Sequence, residues 1–401
     1  MTFTLLFDLD DTLLESNMAA FIPAYFQALS TALADRVDPE KMLAALMAGT
    51  RAMMANEDPA LLLREVFDAQ FFPRLGVDRS VIQPAIDRFY DVSFPALGSL
   101  TKKVPEAVHL VEWGLAQGHR VVIATNPLFP LKAVHHRLRW AGLPPEKYPF
   151  AIVTSYESFH FTKERLAYYP EVLAQLGWPE DPVVMVGDDL EREVKPTQAV
   201  GLPMFWVRKD GDFSREFSKV PQGTLASFQG WLEQVDTRTL QFSFQTPRAF
   251  MACLRATPAA LATLTATLSS DTWLQIPQPG EWCLTEIMCH LRDVEREVHQ
   301  PRLRRVLKEP DPFIAGEVTD RWVQERQYSK QDGRQALADF VAARKETLTM
   351  LGGLETEWSR TSRHAIFGPT TLQELVGFTA EHDHAHIQQV WKTIHWGIRT
   401  S

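Results

Sequence analysis

Short apolar runs that end in polar residues recur in the first half of the chain. They are LLF at 5–7, VVIA at 121–124 and VVMV at 183–186. Such runs are typical of strands buried on both faces of a parallel sheet, and helical patterns separate them. The first half is therefore predicted to be α/β, with a parallel sheet of the Rossmann type.

The stretch between the first two runs is too long for a simple crossover. Residues 16 to about 98 are predicted to form an inserted helical cap, and residues 104–118 the crossover helix that leads into the second strand. Asp38 and Asp58 each precede a proline, so a helix is expected to begin after each of them. A closing helix is predicted over 224–235.

The strand pattern ends near residue 236, and residues 237–245 are predicted to be a linker. From 246 to 401 the pattern is helical, with long amphipathic helices over roughly 246–269, 284–308, 333–353 and 371–396. Four such helices indicate a bundle. The chain is therefore predicted to be multi-domain, with an α/β domain over 1–236 followed by an all-α four-helix bundle.

Charge and cysteine content restrict the partners. The net charge of −9 argues against a nucleic-acid partner, which would require neutralisation of phosphates. The three cysteines form no CxxC pair, so neither a disulfide framework nor a thiolate zinc site is indicated. Acidic residues near the start argue against a signal peptide, and no apolar run reaches membrane-spanning length. The expected location is the cytoplasm, with no membrane partner.

Polar side chains follow each of the three predicted strands. They are Asp8 and Asp10 after the first, Thr125 and Asn126 after the second, and Asp188 and Asp189 after the third. Ligands bind at the carboxyl ends of the strands in an open parallel sheet, so these residues are expected to share one edge. Lys163 lies between the second and third strands.

These residue types suit phosphoryl transfer. One carboxylate can attack phosphorus and form an acyl-phosphate, and a second can act as general acid and then as general base. Mg²⁺ prefers oxygen ligands and would offset the repulsion between clustered carboxylates and a phosphate. A hydroxyl and a lysine can hold the phosphoryl oxygens. A lone DxD could instead be a turn or a helix cap, and Lys163 alone could be a surface residue.

The four motifs in this order resemble the haloacid dehalogenase-like (HAD) superfamily with a helical cap. The resemblance implies that Asp8 is the nucleophile and Asp10 the acid/base. It also implies phosphoryl binding by Thr125, Asn126 and Lys163. The implied Mg²⁺ ligands are Asp8, the carbonyl of Asp10, Asp188 and Asp189. The presence of Asp10 favours a phosphatase, because haloacid dehalogenases proper lack an acid there.

Two positions depart from the HAD pattern. Glu164 follows Lys163 where many relatives have proline, and Glu193 stands at the position of the second aspartate of GDxxxxD. Asp189 is expected to replace that aspartate, because a DD pair also occurs in the superfamily.

The stretch EHDHAHIQQV at 381–390 carries three histidines on a predicted helix. His382 and His386 lie about one turn apart on the apolar side, whereas His384 is rotated by about 200° from His382 onto a face expected to be solvated. His290 lies on the apolar stripe of another helix and could complete a three-histidine metal site with an open position. Alternatively, the three are core histidines satisfied by hydrogen bonds. His299, His364 and His395 are predicted to be surface or local structural residues.

Residues from about 246 to 398 resemble the DinB-like bundle through GEWCLTEIMCHL at 280–291 and FGPTTLQELVGFTAEHDHAHIQQV at 367–390. The resemblance implies a divalent metal such as Zn²⁺ or Ni²⁺ held by His290, His382 and His386. Some relatives are thiol-dependent transferases or isomerases.

The function expected from the sequence is Mg²⁺-dependent hydrolysis of a small phosphorylated molecule through an aspartyl-phosphate at Asp8. One alternative is metal-dependent thiol transfer centred on the bundle. Another is that the bundle binds metal only for stability or oligomerisation, and a homodimer formed through the bundle is a further expectation.

Overall fold

A computed structural model of the chain describes residues 1–208 and 217–396. The chain divides into two units. The first comprises Met1–Glu57, Leu61–Arg165 and Pro179–Ser243; the second comprises Asp58–Ala60, Leu166–Trp178 and the chain from Phe244 onward. The short segment Leu166–Trp178 thus belongs to the second unit, although it lies within the range predicted for the first domain.

The regular elements of the described residues follow in chain order. The strands are β1 (Thr4–Phe7), β2 (Leu14–Glu15), β3 (Lys102–Lys103), β4 (Arg120–Ile123), β5 (Ile152–Val153), β6 (Val183–Gly187), β7 (Met204–Val207), β8 (Gln222–Gly223), β9 (Phe313–Ile314), β10 (Thr361–His364) and β11 (Gly368–Thr371). The helices are α1 (Met18–Leu33), α2 (Pro39–Ala55), α3 (Leu63–Leu75), α4 (Arg79–Arg88), α5 (Pro105–Ala116), α6 (Leu131–Ala141), α7 (Tyr168–Gln175), α8 (Lys195–Val200), α9 (Leu225–Gln234), α10 (Pro247–Thr265), α11 (Ser270–Leu274), α12 (Leu284–Val294), α13 (Gln300–Lys308), α14 (Trp322–Glu325), α15 (Gly333–Leu351) and α16 (Leu372–His395). Within the described ranges, no helix is both long enough and apolar enough to cross a membrane.

The core of the first unit is a parallel sheet with strand order β5-β4-β1-β6-β7-β8. The central strand β1 pairs in parallel with β4 and β6, and all four of its residues are buried. These are the three strands predicted from the apolar runs, so the α/β prediction is confirmed. Because the three strands are parallel and in register, their carboxyl ends meet at one edge of the sheet.

The helical cap is inserted between β2 and β3, which pair with each other in an antiparallel ribbon. Four helices, α1 to α4, enclose a separate apolar core that contains Phe21, Tyr25, Phe89 and Phe94. The predicted start of α2 is confirmed, because the Asp38 carboxylate accepts hydrogen bonds from two backbone N–H groups of its first turn.

The helix predicted to begin after Asp58 does not form there. The Asp58 carboxylate accepts the Ala60 N–H at 3.0 Å within a turn, and α3 begins only at Leu63. The Glu65 carboxylate marks the true start, since it accepts the Leu62 N–H at 2.9 Å. A side-chain acceptor three residues into the helix therefore decides the boundary here.

The second unit contains the four predicted long helices, which are α10, the α12–α13 pair, α15 and α16. The helical prediction is confirmed, but the second helix is interrupted by a π turn at Glu295–His299. Pro301 follows two residues later and lacks the N–H needed to continue regular α-helical bonding.

The small helix α7 packs against α10 and α16. The turn after α7 needs a glycine, because Gly177 has a φ of +75° and a Cβ there would lie 2.4 Å from Trp391.

A fully buried ionic group ties three helices of the second unit together. The Arg344 guanidinium on α15 pairs with the Glu295 carboxylate at 2.9 Å and with the Asp383 carboxylate on α16. Thr347 donates a hydrogen bond to Glu295 as well. Because all three charges are removed from water, each carboxylate depends on the single cation between them.

Replacing Arg344 with methionine is expected to destabilise the second unit by about 3–5 kcal/mol, since it leaves two buried carboxylates without a cation. Chemical denaturation followed by far-UV circular dichroism measures this loss. Arg305→Met is the matched control, because Arg305 forms an exposed pair with Glu309 at 3.0 Å, which is worth about 1 kcal/mol or less. Equal losses in the two variants would contradict the role assigned to the buried group.

Candidate functional sites

Asp8 stands directly after β1 at the edge where the central strands end. Its backbone N–H donates to the Val186 carbonyl on β6 at 2.9 Å, so the sheet fixes the start of the loop that follows. The residue is 5% exposed. Asp8 is therefore a nearly buried carboxylate held at a rigid position.

Three carboxylates converge around this position. Asp8, Asp188 and Glu193 each place an oxygen within 4.8 Å of the others. The buried Lys163 ammonium lies between two of them, 2.5 Å from Asp8 Oδ1 and 2.6 Å from Glu193 Oε1. The sequence therefore contributes three acidic groups and one basic group to a site with little access to water.

The electrostatics of this group favour a bound cation. Burial is the main cause that raises the pKa of Asp188 to about 7, and the neighbouring charges of Asp8 and Asp11 contribute to that rise. Burial also raises the pKa of Glu193 to about 8, although Lys163 opposes that rise. Carboxylates that resist ionisation because they are buried beside other carboxylates are the donors that a divalent cation stabilises. The oxygen ligands present fit Mg²⁺.

Glu193, rather than Asp189, completes the carboxylate group. The Asp189 carboxylate accepts the N–H groups of Glu191 and Arg192 and pairs with the Arg192 guanidinium at 2.5 Å. Glu193 lies one turn later and reaches back, so that its Oε2 accepts the Asp189 N–H at 2.9 Å. A Cβ at position 187 would lie 2.0 Å from that oxygen, so Gly187 provides the space. The structure thus differs from the expectation that Asp189 replaces the second acidic residue.

The Asp10 side chain lies in a different hydrogen-bonding environment from Asp8. Its Oδ1 accepts the Ser16 hydroxyl at 2.5 Å and pairs with the guanidinium of Arg137, whose side chain is 2% exposed. Arg137 is not among the site residues predicted from the sequence. A signal was present, because Arg137 on α6 lies on the same buried face as Val134, Leu138 and Ala141. A charged residue on an apolar helix face needs a partner, and here the partner is Asp10.

Thr125 and Asn126 follow β4 at the same sheet edge, and Thr125 is buried. The Asn126 side-chain amide forms hydrogen bonds with Lys163 and Glu164. Its Oδ1 accepts the Lys163 N–H at 3.1 Å, and its Nδ2 donates to the Glu164 carboxylate at 3.1 Å. Glu164, which replaces the proline common in the resembled superfamily, therefore helps to orient the backbone that carries Lys163.

The three histidines singled out in the second half meet inside the second unit. His290 on α12 and His382 and His386 on α16 each place a ring nitrogen within 4.8 Å of the others. The Nε2 atoms of His290 and His382 are 3.2 Å apart. Two ring nitrogens at this distance must share either a proton or a cation, because two lone pairs would repel each other.

The imidazoles are in the form that binds metals. Burial lowers the pKa of His290 to about 3, and it holds the pKa of His382 well below its usual value. Both are therefore neutral near pH 7. The His386 Nδ1 is held by Gln389 Oε1 at 2.9 Å, which leaves its Nε2 for a ligand role. The buried Nδ1 atoms of His290 and His382 have no hydrogen-bond partner among the described residues. Three neutral imidazole nitrogens that face one another fit a transition metal such as Zn²⁺ or Ni²⁺.

His384 lies outside this group, but the face that carries it is not fully solvated as predicted. Its ring centroid is 4.7 Å from that of Trp178, and the neighbouring Gln388 side chain donates to the Trp178 carbonyl at 3.1 Å. The segment Leu166–Trp178 therefore covers part of this face. Helical periodicity could not reveal it, because the covering residues are far away in the sequence.

The prediction that His299 is a surface or local residue is wrong. It is buried, and its ring centroid is 5.3 Å from that of His382. In a regular helix it would lie about 180° from His290. The π turn at Glu295–His299 changes the rotation of the residues at its end, so α-helical periodicity misplaced this side chain.

A cavity of about 480 Å³ adjoins His386 within the second unit. Its wall includes Trp391, Trp396, Glu281 and Lys392. His386 is thus a member of both the histidine group and the cavity wall. A metal held by the three histidines would have a neighbouring space in which a small molecule could bind.

These features define two kinds of domain in one chain, a parallel α/β domain of the capped hydrolase type and a helical bundle with converging histidines. The family model of the haloacid dehalogenase-like hydrolases matches residues 4–201, and that of the DinB superfamily matches residues 254–390. The chain therefore joins a haloacid dehalogenase-like hydrolase domain to a DinB-superfamily domain. A search of curated proteins gives no significant match.

Solved structures resemble one region or the other. A HAD phosphatase from Thermococcus onnurineus is 20% identical, with 58% of this chain and 98% of that chain covered and a TM-score of 0.37. A 2-haloacid dehalogenase from Pseudomonas syringae pv. tomato is 22% identical, with 58% and 99% covered and a TM-score of 0.40. YfiT from Bacillus subtilis, a four-helix bundle of unusual topology, is 19% identical, with 38% and 88% covered and a TM-score of 0.35.

Mg²⁺ is expected to stabilise the first unit more at about pH 8 than at about pH 5. The raised pKa values of Asp188 and Glu193 mean that the metal-free folded state retains protons that the unfolded chain releases. Stability without metal therefore falls as pH rises through this window, and Mg²⁺ competes with those protons. Thermal unfolding with and without Mg²⁺ at the two pH values measures the effect. Asp188→Asn should lose the Mg²⁺ shift, whereas Asp189→Asn should retain it.

Alanine at His290, His382 or His386 is expected to strip a bound transition metal or to weaken its binding by orders of magnitude, because each removes one of three converging donors. His384→Ala is the control on the same helix and should retain wild-type metal content. Elemental analysis of the purified variants provides the measurement. Loss of metal in His384→Ala together with retention in His382→Ala would contradict the site.

Proposed function

We propose that the first unit is a Mg²⁺-dependent phosphatase that hydrolyses a small phosphomonoester through an aspartyl-phosphate at Asp8. The observation that carries this proposal is the grouping of Asp8, Asp188 and Glu193 around Lys163 at the end of the central strand. A metal bound by the three carboxylates would supply positive charge for the phosphoryl group. The same carboxylates without that charge would repel a phosphate.

In the first step, a carboxylate oxygen of Asp8 attacks phosphorus, and the bond from phosphorus to the leaving oxygen breaks. The Asp10 carboxyl group gives its proton to that oxygen, so the alcohol leaves neutral. The Lys163 ammonium, already 2.5 Å from Asp8, faces the developing charge on the phosphoryl oxygens.

In the second step, Asp10 takes a proton from water, and the resulting hydroxide attacks phosphorus. The bond between phosphorus and the Asp8 oxygen breaks, which releases inorganic phosphate and restores the carboxylate. The hydrogen bonds that hold Asp10 to Ser16 and Arg137 belong to the ligand-free protein. The acid/base role requires Asp10 to exchange these partners for the leaving oxygen.

The presence of Asp10 also supports a phosphatase over a dehalogenase. Expulsion of a halide requires no proton donor, whereas expulsion of an alkoxide does. A carboxyl group two residues after the nucleophile supplies that proton. Burial of Asp8 beside Lys163 fits both reactions, so Asp10 is the residue that discriminates between them.

A second candidate function centres on the bundle, and its supporting observation is the cavity beside His386. An accessible metal with three imidazole ligands can activate a bound thiol. That thiol would have to come from a substrate, because all three cysteines are buried and burial raises the pKa of each. A purely structural metal is the remaining alternative. It would be supported if metal removal unfolded the bundle and no thiol transfer were found with added low-molecular-weight thiols.

Asp8→Asn is expected to abolish phosphate release while leaving the fold intact, because an amide cannot form the acyl-phosphate. Asp10→Asn should lower kcat by about a hundredfold or more through loss of the proton donor. Phosphate release from a panel of phosphomonoesters with Mg²⁺ provides the measurement. The exposed Asp35→Asn serves as the control and should match wild type. Retention of most activity by Asp8→Asn would refute the assignment.

A further inference from the structure

The cap contains a partly open cavity of about 260 Å³ lined by its four helices and by the loop after β4. The wall is mainly aromatic and aliphatic, and includes Phe26, Leu46, Phe67, Phe71, Phe129 and Tyr156. An engineered cavity of about 150 Å³ with similar lining binds benzene. The cap cavity is therefore large enough for a single ring with a short hydrocarbon extension.

Most polar side chains in this wall are bonded to other side chains or to the backbone. The Tyr25 and Tyr90 hydroxyls are 2.9 Å apart, and Thr50 Oγ1 donates to the Leu46 carbonyl at 2.9 Å. The Asp68 carboxylate pairs with Arg79 at 2.7 Å. Because these groups already have partners, the surface offered to a ligand is chiefly apolar, and a sugar or other hydroxyl-rich group would lose hydrogen bonds to water on entering it.

One side chain, that of Arg137, separates the wall of the cavity from Asp10, the proposed acid/base. Phe129 forms part of the wall, and the Arg137 guanidinium lies 5.2 Å from the centroid of its ring. The same guanidinium pairs with the Asp10 carboxylate. Asp10 is the group that protonates the leaving oxygen, so the rest of the leaving group must begin on the side of the site where Asp10 and Arg137 lie.

We propose that the cap cavity receives the apolar portion of the leaving group. The substrates are then phosphomonoesters of alcohols that carry a ring or a branched hydrocarbon, rather than of compact polyols. This inference rests on the proposed phosphatase function. It adds the chemical class of the alcohol, which the carboxylate site alone does not determine.

The first experiment compares ethyl, butyl, hexyl and 2-phenylethyl phosphate as substrates of the full chain with Mg²⁺. Their alcohols are similarly acidic, so the reactivity of the leaving group changes little along the series. Burial of each additional methylene is expected to raise kcat/KM by about fourfold until the cavity is full. A flat or falling series would overturn the inference while leaving the phosphatase function in place. Failure to hydrolyse any phosphomonoester would instead remove the proposed function.

A matched pair of variants tests whether the cavity causes the preference. Thr50 lines the cavity on α2, and Thr31 is exposed on α1, where its hydroxyl makes a similar bond to the Gln27 carbonyl at 2.8 Å. Thr50→Phe should lower the ratio of kcat/KM for 2-phenylethyl over ethyl phosphate by about tenfold or more, because the added ring occupies the space. Thr31→Phe should leave that ratio unchanged. An equal ratio in the two variants would overturn the proposal.

Direct binding keeps the proposal testable if Thr50→Phe does not fold. Calorimetric titration of the wild-type chain with 2-phenylethanol should show saturable binding with a negative heat-capacity change, as expected for burial of apolar surface. The alcohol should also compete with 2-phenylethyl phosphate for turnover. Absence of both binding and competition would overturn the assignment of the cavity.

Discussion

The parallel pairing of β1 with β4 and β6 is the constraint on which the hydrolase domain depends. This pairing brings the ends of three strands together, although the residues that follow them, Asp8, Thr125 and Asp188, are far apart in the chain. Asp8 can be buried because the backbone around it is held by neighbouring strands. Its charge is then compensated by Lys163, which comes from the connection between β5 and β6. Reactive groups placed in this way keep their geometry without help from the ligand.

The bundle also buries polar groups at its candidate site, but there the buried groups are uncharged. Buried imidazoles avoid the cost of desolvating a charge by remaining neutral, which leaves nitrogen lone pairs that need a partner. The three ligand candidates face one another, while the charged residues nearby are joined in the Arg344 group with Glu295 and Asp383. Asp383 lies next to His382 in sequence, so the ionic group anchors the helix segment that carries two of the histidines. The stability of the bundle and the placement of these histidines are therefore coupled in this region.

In both regions, the proposed reactive centre lies beside a cavity. In the hydrolase domain, the carboxylate site belongs to the sheet, whereas the apolar cavity is built mainly from cap helices. In the bundle, the histidines converge between helices, and a cavity with tryptophan walls adjoins only one of them. A rigid reactive centre beside a more variable binding surface allows one chemistry to serve different substrates.

Much of this arrangement follows from local patterns in the sequence. Apolar runs placed Asp8 and Asp188 at the end of strands, and helical spacing placed His382 and His386 on one face, because strand burial and the α-helical repeat are local properties. Tertiary structure alone decided which acidic residue joins the carboxylates, because Asp189 is bonded to its own helical turn while Glu193 reaches back past Gly187. It also decided that Arg137 holds Asp10 and that a π turn brings His299 beside His382. The first two outcomes depend on which side chains, distant in the sequence, pack together in the interior. The third depends on a local change in helical rotation, which a regular repeat of about 3.6 residues does not predict.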